Sequence, residues 1–205
     1  MGGTARRPCR TIAAFPLPEG PMPQTPAPLS PEDAAALYQA LRAEGMADAL
    51  TTLHIGGAHT RLLSGAADAP ALLRTLDIGA RVTAATCFAH QPPTEAEMEH
   101  AIMLVEDAVM PVRDLLAPGS TLYTADGGIR QIALAAGLPA QPELRLPLEA
   151  VEHTFNRLAA LSLGRPATQD TLAQDNAFAA TLLILRECLH HLGFDHIVVR
   201  SDAVV

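Results

Sequence analysis

The period of the apolar positions changes along the chain, and each change predicts an element. Residues 50 to 82 carry three short apolar runs, at 50–55, 60–64 and 71–76 or slightly beyond, that read as strands. Gly56-Gly57 breaks the first gap and Gly65-Ala66-Ala67-Asp68 the second, the punctuation of an antiparallel meander. Ahead of them, Ser30-Pro31-Glu32-Asp33 offers an N-cap, a proline at the first helical position and acids in the first turn, predicting a helix through about residue 42.

Beyond the meander, Pro93-Thr94 and Glu97 form a capping arrangement for a long helix predicted to reach Leu116. Ile102, Val105, Val109 and Val112 recur on one face of it, and Pro111 is expected to bend it. A short strand at 120–125 meets Asp126-Gly127-Gly128, and a helix from about Ile129 ends near Gly137. Two further helices, at about 148–161 and 175–192, precede a last strand at 197–199. From residue 50 the order is βββαβαααβ, a mixed α/β domain.

The first 29 residues stand apart, with Pro16, Pro18, Pro21, Pro23, Pro26 and Pro28 closely spaced. They read as an extended arm or linker, with Thr11 to Phe15 as one stray strand candidate, ahead of a single domain over 30–205. Hydrophobic residues are 49% of the chain against 18% charged, which fits a globular domain. With 3% aromatics and no Trp, its core must be built from Ala, Leu, Val and Ile. A net charge of −8 argues against nucleic acid or an anionic membrane as partner, since either needs a basic face. Cys9, Cys87 and Cys188 are too scattered for a disulfide framework or a zinc site, and a reducing, cytoplasmic setting is the simpler expectation. No apolar run approaches the roughly 20 residues of a membrane span, and the Arg6-Arg7 start is followed by prolines rather than an export signal.

Candidate chemistry concentrates at Leu53 to Arg61, LHIGGAHTR. Paired glycines between strands allow positive φ and bring backbone N–H groups close to an anion, so Gly56 and Gly57 are candidate phosphate contacts. Gly127 and Gly128, between a strand and a helix start, are a second such pair. Asp126 stands where an anion would approach this second pair and is expected to repel it.

In order along residues 29 to 202, these motifs resemble the exopolyphosphatase and guanosine pentaphosphate phosphohydrolase (Ppx/GppA) family. SPEDAAALY resembles the acidic helix that opens that family's second lobe, and HIGGAHTR resembles its D-I-G-G-G-S-x-E loop. TLDIGARVT, PPTEAEMEHA, TADGGIRQIA and FAATLLILRECLHHLGFDHIVV match later motifs in sequence. The resemblance implies a ribonuclease H-like lobe of the actin and sugar-kinase type, with a mixed sheet of about five strands and flanking helices. It implies a phosphate-containing small molecule as ligand and, in an active member, Mg²⁺ with acids that handle metal and water.

The departures are specific. The family's loop acids correspond by position to His54 and Arg61, and of the expected acids only Asp33 keeps a carboxylate. The chain has no room for the family's first lobe and stops at Val205, short of a closing glycine–arginine–glutamate segment, so a truncated gene product is a further reading. His54 is a poor Mg²⁺ ligand, because Mg²⁺ prefers oxygen. His54 with His59 would need a third ligand to hold a softer metal. Arg61 reads equally as a phosphate clamp or a solvated strand residue. His190 and His191 suit a helix C-terminus, while His100 and His153 read as surface or boundary residues.

The expectation is therefore a divergent lobe with impaired phosphohydrolase activity, a pseudoenzyme that binds phosphate or nucleotide, or serves as a protein-interaction module. The alternative is a polyphosphate or guanosine pentaphosphate phosphohydrolase completed by dimerisation or a partner lobe, with Asp33 as base and Mg²⁺ as cofactor. A half-sized member should also expose an apolar face, predicting a homo-oligomer or a partner protein.

Overall fold

A computed structural model describes residue 1, residues 31–46, 48–166, 170 and 172, and residues 175–201 of the 205-residue chain. The expected arm, its stray strand and the Ser30 cap lie outside the described residues. The first helix, α1 (Pro31–Ala43), precedes a meander of β1 (Leu50–Ile55), β2 (Thr60–Gly65) and β3 (Leu72–Leu76). Then follow α2 (Ala80–Cys87), α3 (Glu95–Val109), a 3-10 turn (Met110–Leu115), β4 (Thr121–Thr124) and α4 (Gly127–Ala135). The chain continues through β5 (Glu143–Pro147), α5 (Leu148–Ser162), α6 (Asn176–Leu192) and β6 (His196–Arg200).

The strands form one six-stranded mixed sheet in the order β3-β2-β1-β4-β6-β5, one strand more than the sequence suggests. β1 pairs antiparallel with β2 and parallel with β4; β6 runs parallel to β4, and β5 is antiparallel to β6. β5 escapes the sequence reading because it is short and ends in Pro147, a residue that a sheet tolerates at an edge. α2 escapes it because its N-cap, Gly79, supplies no side-chain bond. The long helix stops at Val109, and Pro111 sits in the first turn of the 3-10 segment that replaces its predicted end.

The two faces of the sheet are unequally covered. On one, α1 packs Ala34, Tyr38 and Leu41 against Leu50, Leu63 and Tyr123. On the other, α2 to α6 join Leu53, Ile55, Leu62, Leu122, Leu144, Leu146, Ile197 and Val199 in the main core. α6 is buried on nearly all sides, from an Asp175 cap that accepts from Phe178 N–H (2.7 Å) to Gly193 at φ 79°. Period-2 alternation then sets the site: Leu50 and Thr52 face α1, as does His54, whereas Leu53 and Ile55 face the main core. Burial pushes the Cys188 thiol on α6 up to about 12, and Cys87 is also free and buried. No helix among the described residues is long and apolar enough to cross a membrane.

Candidate functional site

The β1–β2 hairpin carries its glycines for a reason other than the expected one. Neither Gly56 nor Gly57 is among the glycines with positive φ. Both serve close approach. The Gly56 N–H donates to the His59 carbonyl (2.9 Å), closing the turn. The Gly56 carbonyl accepts from Ala80 N–H (2.9 Å), and that of Gly57 from Arg81 N–H (2.9 Å) and Val82 N–H (3.0 Å). These donors are first-turn N–H groups of α2, which a helix leaves without internal partners. The hairpin is thus the cap of α2, and the positive end of that helix is already engaged. Gly79 makes the packing possible, since a Cβ there would lie 2.5 Å from the Ala58 carbonyl carbon and 2.6 Å from His59 N.

At the end of β1, His54 is buried, and its Nδ1–H donates to Asp126 Oδ1 at 2.6 Å. An ionised carboxylate only accepts, which assigns the ring proton to Nδ1. The second oxygen, Oδ2, accepts from Ile55 N–H, also at 2.6 Å. Asp126, expected to stand where an anion approaches the second glycine pair, has its carboxylate turned inward onto β1 and buried. Gly56 leaves room for the ring, because a Cβ there would stand 3.2 Å from His54 Nε2.

Gly127 and Gly128 are not in a loop but are the first residues of α4, and both are exposed. A Cβ at Gly127 would meet nothing within 4 Å, and one at Gly128 would meet only Thr181 Cγ2 at 3.5 Å. Arg61 is half-buried on β2, directly across from His54 in the antiparallel register and on the same face. Arg81, on α2, lies against Gly57. Asp33 is in the first turn of α1, one residue before Ala34, whose carbonyl accepts from Thr52 on β1 (3.3 Å). The fold thus gathers His54, Arg61 and both glycine pairs toward the C-terminal ends of β1 and β4, and places Asp33 on the helix that packs against β1.

His54 and His59 are not brought to one ion, since His59 is exposed and lies 3.6 Å from Asp77 instead. His191, expected only to complement the end of α6, approaches Glu187 (3.1 Å) and Glu106 (3.8 Å), tying α6 to α3. His100 and His153 are exposed. The residues do not suit the Mg²⁺ that the resemblance implies. His54 presents nitrogen, both Asp126 oxygens engage N–H donors, and no group of three or more His, Cys, Asp or Glu among the described residues could hold a metal ion.

Sheet order, hairpin and helix placement together define an α/β lobe of the actin-like type. Comparison with solved structures gives the particular relatives. The Ppx/GppA phosphatase of Aquifex aeolicus, type II variant, is similar with a TM-score of 0.69 and 18% identity, over 83% of this chain and 59% of that one. An exopolyphosphatase from Cytophaga hutchinsonii is similar with a TM-score of 0.59 and 15% identity, over 82% of this chain and 59% of its own. An exopolyphosphatase-like protein gives a TM-score of 0.61 and 14% identity, over 82% of this chain and 62% of its own. The chain has the fold of these Ppx/GppA structures and spans about three fifths of their length. No protein-family model matches the sequence, and no curated protein is similar to it.

Proposed function

We propose that this chain is a Ppx/GppA-like lobe that binds phosphate groups without cleaving phosphoanhydride bonds on its own. The observation that carries the reading is the buried His54–Asp126 bond, at the strand end where the resemblance calls for an acid. A metal-held or base-activated water is worth orders of magnitude in rate, and the inward-turned Asp126 carboxylate is not offered to one. Anion contact rests instead on the exposed start of α4 at Gly127 and Gly128, where the N–H groups and the positive helix end favour negative charge. Arg61 supplies a cation on the neighbouring strand.

The purified chain, incubated with polyphosphate or guanosine pentaphosphate and Mg²⁺ or Mn²⁺, is expected to release no phosphate above blank. Phosphate and polyphosphate are expected to raise its melting temperature, because a ligand of the native state stabilises it. Turnover at ordinary enzymatic rates, reduced by Asp33→Asn, would instead establish the alternative of a phosphohydrolase completed by a second copy or partner lobe.

A second role, as an interaction module, is supported by the outer surface of α3 and the 3-10 turn. Met103 (58%), Leu104 (44%), Met110 (54%) and Leu115 (44%) are exposed there together. Sedimentation is expected to show self-association at high concentration, and a monomer throughout removes the homo-oligomer.

A further inference from the structure

Asp126 occupies the N-cap position of α4, where an aspartate ordinarily accepts a bond from the backbone of its own helix. It makes no such side-chain cap. Its carboxylate reaches across to β1 and takes one N–H from the His54 ring and one from the Ile55 backbone, each at 2.6 Å. His54 and Asp126 are 72 residues apart in the chain, yet their side chains are only 6% and 7% exposed. The helix has given up a local stabilising contact so that two chain segments can be joined.

Geometry on the hairpin side supports the same role. The ring occupies space that glycine at position 56 leaves free, and the hairpin is itself anchored to α2 through the Gly56 and Gly57 carbonyls. A run of fixed contacts therefore leads from α2, through the hairpin and His54, to Asp126 and the start of α4. A divalent cation is one means of holding two such segments together, and it requires oxygen donors from both. Here one side presents an imidazole, and both oxygens of the other already accept buried N–H groups. A cation at Asp126 would meet an imidazole from β1 where it needs a second oxygen donor.

We infer that the His54–Asp126 pair is a metal-free latch: a positioning pair that holds the β1–β2 hairpin against the start of α4 by a direct side-chain bond and makes this end of the sheet indifferent to divalent cations. The inference does not depend on whether phosphate binds at α4.

The experiment uses the full chain and reads thermal unfolding with and without Mn²⁺, together with the histidine ring protons by NMR. The native chain is expected to show a strongly downfield Nδ1–H signal, absent in Asp126→Asn, and a melting temperature unmoved by Mn²⁺. Asp126→Asn is expected to melt lower by roughly 5–10 °C. His54→Asp turns a second carboxylate toward Asp126 and is expected to gain a Mn²⁺-dependent rise in melting temperature that His54→Asp/Asp126→Asn lacks. His54→Gln, which keeps an N–H donor, is expected to lose less stability than Asp126→Asn and to show no response to Mn²⁺. Stabilisation of the native chain by Mn²⁺, abolished in Asp126→Asn, would overturn the inference by making the pair a metal site. Absence of the downfield proton in the native chain would overturn it independently of whether any variant folds. The inference shares its buried pair with the proposed function, but phosphate release is read in a separate assay, so failure of the latch and failure of that reading are distinguishable.

Discussion

Two glycine pairs in this molecule look alike in sequence and do opposite things. Gly56-Gly57 lies in a hairpin whose carbonyls cap α2 and whose surroundings exclude side chains at Gly56 and Gly79. Gly127-Gly128 begins α4, is exposed, and has open space around the first glycine. The first pair is a packing device whose polar groups are already used. The second leaves a helix start accessible. Glycine in a strand–turn context therefore reports close approach, but what approaches is decided elsewhere: in the first case it is the protein's own helix.

Substitutions test this contrast directly. The largest effect is expected at Gly79→Ala, whose Cβ would meet backbone atoms of Ala58, His59 and Gly56 at 2.5–2.7 Å. Backbone cannot yield as a side-chain tip can, so a loss of about 3 kcal/mol or more is expected in denaturant unfolding. Asp126→Ala leaves the His54 ring and the Ile55 N–H without the carboxylate they share, and a loss of about 2–3 kcal/mol is expected by the same measurement. Gly56→Ala presses on the His59 carbonyl at 3.0 Å and on His54 Nε2 at 3.2 Å, and is expected to cost about 1–2 kcal/mol. If Gly56→Ala and Gly127→Ala proved equally harmless, the contrast between the pairs would collapse.

Gly127→Ala should move in the other direction. The position is helical without positive φ and unobstructed, so alanine is expected to stabilise by about 0.4–1 kcal/mol. If anions bind at this helix start, the same variant should show a smaller phosphate-induced rise in melting temperature.

A third helix start provides a control with the smallest expected effect. α3 is closed by a capping box of Thr94 and Glu97, and the Thr94 backbone bond, followed by the His90 hydrogen bond, lowers the Glu97 carboxyl to about 2. A folded-state value below the unfolded one makes the contribution present above pH 4.5 and lost as the pH falls toward 2. Glu97→Gln is therefore expected to flatten the acid limb of a pH–stability curve slightly, without changing either glycine loop.

Much of the scaffold was legible before the structure. The short runs of β1 and β2, set off by glycines, and the apolar faces of α3 and α6 give local signals strong enough to survive tertiary context. α2 was not, because its cap is made of carbonyls more than twenty residues upstream and not of a neighbouring side chain. β5 was masked by its proline and by charges on its exposed positions. At the site, the glycines and the unusual His54 and Arg61 could be picked out, but the partner of His54 could not. Asp126 was seen beside Gly127, and adjacency in sequence suggested an obstacle to anions, whereas the folded chain turns that carboxylate toward β1.

The sequence by itself determined the strand and helix periods, the two glycine pairs, and the exchange of expected acids for His54 and Arg61, because these are properties of residue type and near spacing. Only the tertiary structure decided which glycines touch the protein and which face outward, and that the histidine is held by an aspartate 72 residues away. The physical reason is that carbonyls, carboxylates and helix N–H groups find partners through space. Parallel pairing of β1 with β4 brings the ends of both strands together, and residues unrelated in sequence then share one carboxylate.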